Sequence, residues 1–215
     1  MKGDKLLITD YHRNAAKIVL NFLKKNTKLP VSSDQTLAIT VAGESGCGKS
    51  ETAAVLAELC EKEGFKTLIL QQDDYFIYPP KTNHNTRLKD IGWVGTNEVK
   101  MDLMDQDIAQ IKQKTNSKIK KPLVIYEEDK ITEEEVEITN VQIVIAEGTY
   151  TTLLKNADVR SFIDRTYHQT KKARLARNRD PAVDFIEKVL EIEHNIISQH
   201  KQQADVIIPA PEDER

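Results

Sequence analysis

The segment TVAGESGCGKSET, residues 40–52, constrains the fold of this chain more than any other stretch. It begins within the apolar run TLAITV and leads into the helix-like pattern KSETAAVLAELCEKEG, which stops at Gly64. Residues 43–50 fit the spacing G-x-x-x-x-G-K-[ST], in which backbone N–H groups surround phosphate oxygens at a helix N-terminus. A glycine turn is the alternative, and a chance match is expected about once in a hundred such chains. The strand before the segment and the helix after it favour a phosphate-binding loop.

Strand-like and helix-like patterns alternate along the rest of the chain. Such alternation predicts an α/β fold of the P-loop NTPase type, with a mostly parallel sheet flanked by helices. We expect an N-terminal amphipathic helix and its linker at 1–35, followed by the main domain at 36–215. Within that domain, a β-hairpin is expected at about 118–139 and a helical lid at about 166–181.

Composition excludes several classes of partner. The 215 residues include 31 basic and 34 acidic side chains, a net charge of −3, so we expect neither nucleic acid nor an anionic membrane as a partner. The longest apolar runs are too short to cross a bilayer, and MKGDKLLITDY lacks a secretory signal, which predicts a cytoplasmic protein. The two cysteines have no metal-ligand spacing. A homo-oligomer is compatible with all of this.

Two acidic positions follow predicted strands. Asp73 comes after KTLILQQ, and Glu147 comes directly after VQIVIA. Because the carboxyl ends of parallel strands line the ligand crevice of an open α/β sheet, both acids are expected beside the glycine loop. A carboxylate there can accept the proton of a hydroxyl group or bind Mg²⁺, and Ser50 offers a hydroxyl to the same metal. A turn or a helix cap is the alternative for each acid.

A basic stretch, KKARLARNRD, occupies residues 171–180. The simplest interpretation is a solvated helix face. A lid that brings guanidinium groups onto a transferring phosphoryl group is the functional one. A nucleic-acid patch is disfavoured by the acidic total and by the lack of interleaved aromatic residues.

Taken in order, the glycine loop and six further segments resemble the uridine kinase and phosphoribulokinase family of P-loop kinases. These segments are QQDDYF, the helix around MDLM, KPLVIYEEDK, VIAEGTY, RLARNRD and ADVIIP. The resemblance covers about residues 36–209 and implies ATP and Mg²⁺ as cofactors. It places the nucleotide against Gly43, Glu44, Ser45, Gly46, Cys47, Gly48, Lys49, Ser50, Glu51 and Arg179.

The resemblance also implies the reacting groups. Asp73 matches the base that acts on the acceptor hydroxyl, while Lys49 with the lid residues Arg174 and Arg177 would offset the charge of the phosphoryl group. Ser50 and Glu147 would bind the metal. Acceptor contacts are expected from Asp73, Tyr75, Phe76 and Tyr126, with Asn97 or Glu98 in place of the acid that holds ribose hydroxyls in the family.

Two segments depart from the uridine kinase pattern and leave the acceptor open. After Tyr126 the chain has Glu127, Glu128, Asp129 and Lys130 in place of Asp-Phe and a histidine, and residues 93–98 read WVGTNE in place of a His-Pro-Asp stretch. We predict an ATP- and Mg²⁺-dependent kinase, uridine kinase-like, that phosphorylates a hydroxyl of a small molecule. Pantothenate, glycerate and ribulose-phosphate kinases are alternatives within the class. A regulatory nucleotide-binding module is an alternative outside it, and a nucleic-acid-modifying kinase has only the basic stretch in its favour.

Overall fold

The computed structural model describes residues 6–26, 28–30, 32, 34–177 and 183–214. Within these residues, one parallel sheet consists of β1 (Leu37–Gly43), β2 (Thr67–Gln71), β5 (Ile143–Glu147), β6 (Val159–Asp164) and β7 (Val206–Pro209). Their order across the sheet is β2-β5-β1-β6-β7. Every residue of the central β1 and of β5 is buried, which explains why their sequences are continuously apolar rather than alternating. The α/β fold with a parallel sheet is confirmed.

Helices cover both faces of this sheet. Helix α1 (Asp10–Lys25) and helix α2 (Lys49–Lys62) share one core with the sheet. On the other face, α4 (Met101–Gln113) packs with the second core cluster. Helix α1 lies within the N-terminal segment predicted at 1–35, and its apolar stripe is buried through Ala15, Val19 and Leu23. Burial of that stripe, more than helix propensity, stabilises a helix of this length.

The part of the chain between β2 and β5 contains two α-helices and a β-hairpin. Helix α3 (Pro80–Lys89) precedes α4, and strands β3 (Lys118–Ile125) and β4 (Lys130–Glu137) form the predicted hairpin as a separate antiparallel pair. Asp74 anchors the hairpin, since its carboxylate accepts hydrogen bonds from Lys121 Nζ at 3.1 Å and from Val124 N at 3.0 Å. Helix α3 was not predicted, because PKTNHNTRLK has no apolar stripe and buries only Asn83.

The C-terminal part contains α5 (Tyr167–Arg177) and α6 (Val183–Ile197). Helix α6 ends at Ile197, and a 3₁₀ turn, Ser198–Gln203, follows it. In the described part of the chain, no helix is long and apolar enough to cross a membrane.

Candidate active site

The glycine loop connects β1 to α2 at the carboxyl edge of the sheet. Gly46 and Gly48 have φ angles of 80° and 99°, which side chains other than glycine rarely adopt, and Gly48 is the N-cap of α2. The ammonium group of Lys49 donates a hydrogen bond to the carbonyl oxygen of Glu44 at 2.9 Å, so the lysine side chain folds back over the loop. The helix N-terminus and a lysine thus meet at one point, as an anion-binding site requires.

Strand pairing brings Glu147 to this loop. Glu147 lies opposite Val41 of β1 and Gln71 of β2, at the end of β5. Its Oε1 accepts a hydrogen bond from Ser50 Oγ at 3.0 Å and a longer one from Gln71 Nε2 at 3.4 Å. The two residues predicted to bind the metal are therefore in direct contact.

The charges around Lys49 act on one another. The pKa of Glu147 is raised to about 7, chiefly by burial and then by the charge of Asp73, although Lys49 and the Ser50 hydroxyl lower it. Burial lowers the pKa of Lys49, but its acidic neighbours, Glu147 and Asp73 among them, raise it overall. Asp73 thus lies close enough to both buried groups to affect their proton affinities.

The adjacent aspartates, Asp73 and Asp74, have different environments. Both belong to the 3₁₀ turn Gln72–Tyr75 that follows β2. Asp73 is exposed to solvent at the carboxyl edge of the sheet, whereas Asp74 is 2% exposed and holds the hairpin. Only Asp73 is positioned to meet a molecule that enters from solvent.

The predicted acceptor residues are not all brought together. Tyr75 is fully buried, and its hydroxyl donates to Asp107 Oδ2 at 2.7 Å, which is the placement of a core residue. Burial and the Asp107 carboxylate raise its pKa. Phe76 is half-buried and pairs with Val99 through a β-bridge, while Tyr126 is 38% exposed at the turn of the hairpin.

Of the two candidates at 97 and 98, Asn97 is exposed and Glu98 is fully buried. The Glu98 carboxylate accepts hydrogen bonds from Asn83 Nδ2, from Gly95 N, and from two nitrogens of Arg87 at 2.6 and 3.0 Å. It is thus engaged by this chain's own donors. The acceptor contact predicted for Glu98 stays a prediction. Because Asn97 is exposed and Glu98 is buried, Asn97 is the better placed of the two for that contact.

A buried ionic chain that sequence reasoning missed connects Glu98 to the glycine loop. Arg87 reaches Glu193 of α6 at 3.4 Å, and Glu193 Oε2 accepts a hydrogen bond from Ser45 Oγ at 2.9 Å. Burial raises the pKa of Glu193, whereas Arg87 and Ser45 lower it. The signal was present in α6, because Glu193 lies four residues from both Val189 and Ile197 on the buried face of the helix.

Helix α5 lies along the glycine loop. The backbone N–H of Tyr167 donates to Glu44 Oε2 at 2.6 Å, and the Thr170 hydroxyl donates to the Ser45 carbonyl at 3.2 Å. Arg174 packs its aliphatic part against Gly46, where a Cβ would lie 2.6 Å from Arg174 Cγ. Arg174 therefore lies against the glycine loop, and its predicted action on a phosphoryl group stays a prediction.

The guanidinium of Arg174 currently bonds within the protein. It donates to the Tyr167 carbonyl at 2.9 Å and to Glu187 at 3.4 Å. The side chain of Arg177, like all of Arg179, lies outside the described structure. The remaining predicted nucleotide contacts, Cys47 and Glu51, are buried in the loop and the first turn of α2.

The donor set at Ser50 and Glu147 fits Mg²⁺. A carboxylate and a hydroxyl oxygen are hard ligands, and Mg²⁺ in nucleotide sites completes its octahedron with water and phosphate oxygens. Among the described residues, no group of three or more His, Cys, Asp or Glu side chains is arranged to hold a metal alone. A metal at this position would therefore share its coordination with a phosphate.

Comparisons with known proteins identify the family of this chain. The model of the phosphoribulokinase / uridine kinase family matches residues 38–214. A bifunctional alpha-galactosidase/sucrose kinase of Mediterraneibacter gnavus is 25% identical over 191 residues, 82% of this chain and 20% of that protein. A uridine kinase of Ureaplasma urealyticum is 25% identical over 153 residues, 69% of this chain and 72% of that protein. The chain thus spans only a fifth of the first of these relatives.

Two solved structures share the fold. A possible uridine kinase from Bacillus stearothermophilus superposes with a TM-score of 0.62 at 16% identity, covering 91% of this chain and 98% of its own. Phosphoribulokinase from Rhodobacter spheroides gives a TM-score of 0.63 at 11% identity, covering 83% and 71%. At these identities the likeness concerns the fold.

Proposed function

Because the chain belongs to the phosphoribulokinase / uridine kinase family, whose members are small-molecule kinases, we propose that it transfers the γ-phosphoryl group of ATP to a hydroxyl group of a small molecule. The observation that carries the proposal is the position of Asp73. This exposed carboxylate follows β2 at the carboxyl edge of the sheet, the edge that also carries the glycine loop, and its charge raises the pKa of both Lys49 and Glu147. Both observations support a role for Asp73 beside the transferred phosphoryl group.

In the proposed reaction, Asp73 accepts the proton of the acceptor hydroxyl. The acceptor oxygen forms a bond to the γ-phosphorus, and the bond from that phosphorus to the bridging oxygen breaks, which releases ADP. Lys49 and the N–H groups of the loop hold the triphosphate. The protein's contribution is chiefly to align the two oxygens and to offset negative charge.

The metal would be held by Ser50 and Glu147, directly or through water. Mg²⁺ supplies positive charge to the phosphate oxygens when it is bound. Lid arginines add to that charge. Arg174 is already at Gly46, and we propose that its guanidinium exchanges Glu187 and the Tyr167 carbonyl for phosphate oxygens, with Arg177 and Arg179 as further donors.

The acceptor and the location belong to the same proposal. The names of relatives include kinases of uridine, sucrose and glycerate, so the family accommodates acceptors of different chemistry. A nucleoside or sugar hydroxyl is our proposal for this chain, within a cytoplasmic setting. The latter is supported by Cys47 and Cys60, which are both free thiols.

The test is ADP release by the purified protein with Mg·ATP and a panel of hydroxyl compounds. Asp73→Asn should lower kcat about 10²- to 10⁴-fold while ATP binding, measured by calorimetry, stays within about twofold. Asp102→Asn, at an exposed position in the first turn of α4, is the matched control. ADP formation that needs no acceptor and is equal in Asp73→Asn would contradict the kinase and favour a regulatory nucleotide-binding module.

A further inference from the structure

The segments around Asp73 form one connected surface, which we call the acceptor end: residues 72–78, helix α3, residues 90–98 and the hairpin turn 126–130. The backbone around Tyr75 and Ile77 hydrogen-bonds to Lys100 and Glu98, and the hairpin turn contacts the start of α3. An anionic acceptor, bearing a carboxylate or a phosphate, would have to find its counter-charge here. Whether each positively charged group at this end is already paired within the chain therefore indicates which charge an acceptor can carry.

The first such feature is the N-terminus of α3, where unpaired N–H groups would attract an anion. The chain's own Asp129 already occupies it. Asp129 Oδ1 accepts a hydrogen bond from Lys81 N at 2.6 Å, and Oδ2 accepts one from Thr82 Oγ1 at 2.9 Å. Asp129 reaches this position from the hairpin turn with a φ of 49°.

The second feature is the guanidinium of Arg87, on the same helix. Its side chain is 16% exposed, and it is shared between two carboxylates, Glu98 and Glu193. Two carboxylates of this chain thus share one guanidinium group. Arg87 therefore has no unpaired positive charge to offer to a further anion.

The third feature is Lys121 at the base of the hairpin. Its side chain is 5% exposed, and its ammonium group pairs with Asp74 at 3.1 Å and Glu134 at 2.6 Å. The other lysines of this end, Lys81, Lys89 and Lys130, are exposed to solvent. Exposed ammonium groups interact weakly with anions, by about 0–1 kcal/mol, because water screens them.

The remaining groups suit an uncharged, hydroxyl-bearing molecule. Tyr78, 39% exposed, packs against Trp93 with ring centroids 5.5 Å apart and the rings tilted by 38°, and Tyr126 presents a third partly exposed ring. Trp93 is fixed by a hydrogen bond from its Nε1 to Asn83 Oδ1 at 2.8 Å. Aromatic faces and the Asn97 amide can bind the C–H surface and hydroxyls of a sugar-like ring, whereas Asp73 repels anions.

From this arrangement we propose that the acceptor is an uncharged polyhydroxyl compound and that the chain excludes anionic acceptors by occupying the N-terminus of α3 and the Arg87 guanidinium with its own carboxylates. The inference rests on the proposed function. It selects among the alternatives that the family leaves open, because pantothenate, glycerate and ribulose phosphate are anions.

The experiment measures kcat/KM for matched pairs of acceptors that differ in charge. The pairs are glycerol and glycerate, panthenol and pantothenate, and ribulose and ribulose 5-phosphate, with uridine and sucrose as further neutral compounds. We expect any pair that is turned over to favour its neutral member by tenfold or more. Asp73-dependent ADP formation that favours an anionic member overturns this inference alone, while the absence of ADP with every compound overturns the proposed function and the inference with it.

A variant tests the cause of the preference. Asp129→Gly vacates the N-terminus of α3 at a backbone position that glycine tolerates, and it should raise the anionic-to-neutral ratio of kcat/KM about two- to fivefold. Glu128→Gly is the matched control, since it removes an equal charge from the same turn and touches no N–H group of α3 in the hydrogen bonds described. An equal change of the ratio in both variants would contradict the assigned role of Asp129.

Discussion

His12 of α1 packs against Gly48 of the glycine loop, so closely that a Cβ added at Gly48 would lie 2.5 Å from His12 Nε2. The imidazole is 7% exposed, and its Nδ1 accepts a hydrogen bond from the backbone N–H of Thr9 at 3.0 Å. In the neutral ring the proton is then on Nε2, the nitrogen that faces the loop. Helix α1 precedes residues 38–214, which match the family model, yet it packs against the glycine loop.

We predict that Gly48→Ala destabilises the protein by about 2 kcal/mol or more, through left-handed backbone strain and overlap with His12. Gly64→Ala is a matched control, because Gly64 has a φ of 91° and nothing within 4 Å of an added Cβ. It should cost only the strain, about 1 kcal/mol. Urea unfolding measures both values.

The overlap is tested by adding His12→Ala to Gly48→Ala. Removing the ring should recover about 1 kcal/mol of the loss, because the two residues are in contact and their effects are not additive. Additive effects in this double-mutant cycle would show that His12 and Gly48 do not interact.

Much of the nucleotide side of the site was predictable from the sequence. Parallel strands align their carboxyl ends, so acids directly after β2 and β5 had to lie near a glycine loop after β1. The contact between Ser50 and Glu147 follows from this geometry and from strand register, which places Glu147 opposite Val41.

The acceptor side was less predictable, because it depends on partners distant in sequence. Glu98 looked available as a substrate ligand, but Arg87 engages it from a helix whose polar sequence gave no helical periodicity. Tyr75 follows Asp73 by two residues, yet its ring turns into the core toward Asp107. Sequence spacing gives the position of such a side chain along the chain, but it does not show which group forms a hydrogen bond or an ion pair with it.

Changing each of the two adjacent aspartates to asparagine should have different effects on the free energy of unfolding. Asp74→Asn weakens the pairing with Lys121 and leaves that buried ammonium group with less compensation, so we expect a loss of about 1–3 kcal/mol in the free energy of unfolding. Asp73→Asn, at an exposed position, should change stability by less than about 0.5 kcal/mol. Urea unfolding of the two variants, beside the ADP assay, checks this. Equal destabilisation would contradict the assignment of Asp74 to the hairpin and Asp73 to chemistry.

Arg87→Met should be strongly destabilising, by about 3–5 kcal/mol, because it leaves Glu98 and Glu193 buried without their shared cation. Lys62→Ala breaks an exposed ion pair with Glu58 and serves as the control, with an expected loss of about 0.5 kcal/mol or less. Thermal and urea unfolding give both values. Similar small losses in the two variants would show that the Arg87 cluster is solvated in solution.

Glu147 predicts how the stability of the metal-free and nucleotide-free protein depends on pH. Its pKa is about 7 in the folded protein against 4.5 for an ordinary glutamate. At a pH between these two values, Glu147 is therefore protonated in the folded state and ionised in the unfolded state. Protonation of Glu147 therefore stabilises the folded state fully below about pH 4.5. This contribution to the free energy of unfolding, roughly 3 kcal/mol in all, is lost as the pH rises through 7.

Glu147→Gln removes this titration while it keeps the size of the side chain. The difference in unfolding free energy between the wild-type protein and the variant should therefore fall from pH 5 to pH 8, measured in urea with EDTA. Glu193, whose pKa burial also raises, contributes a similar slope to both proteins, so the difference isolates Glu147. A difference that does not change with pH would show that Glu147 is already ionised at pH 5, with Lys49 and Ser50 outweighing its burial.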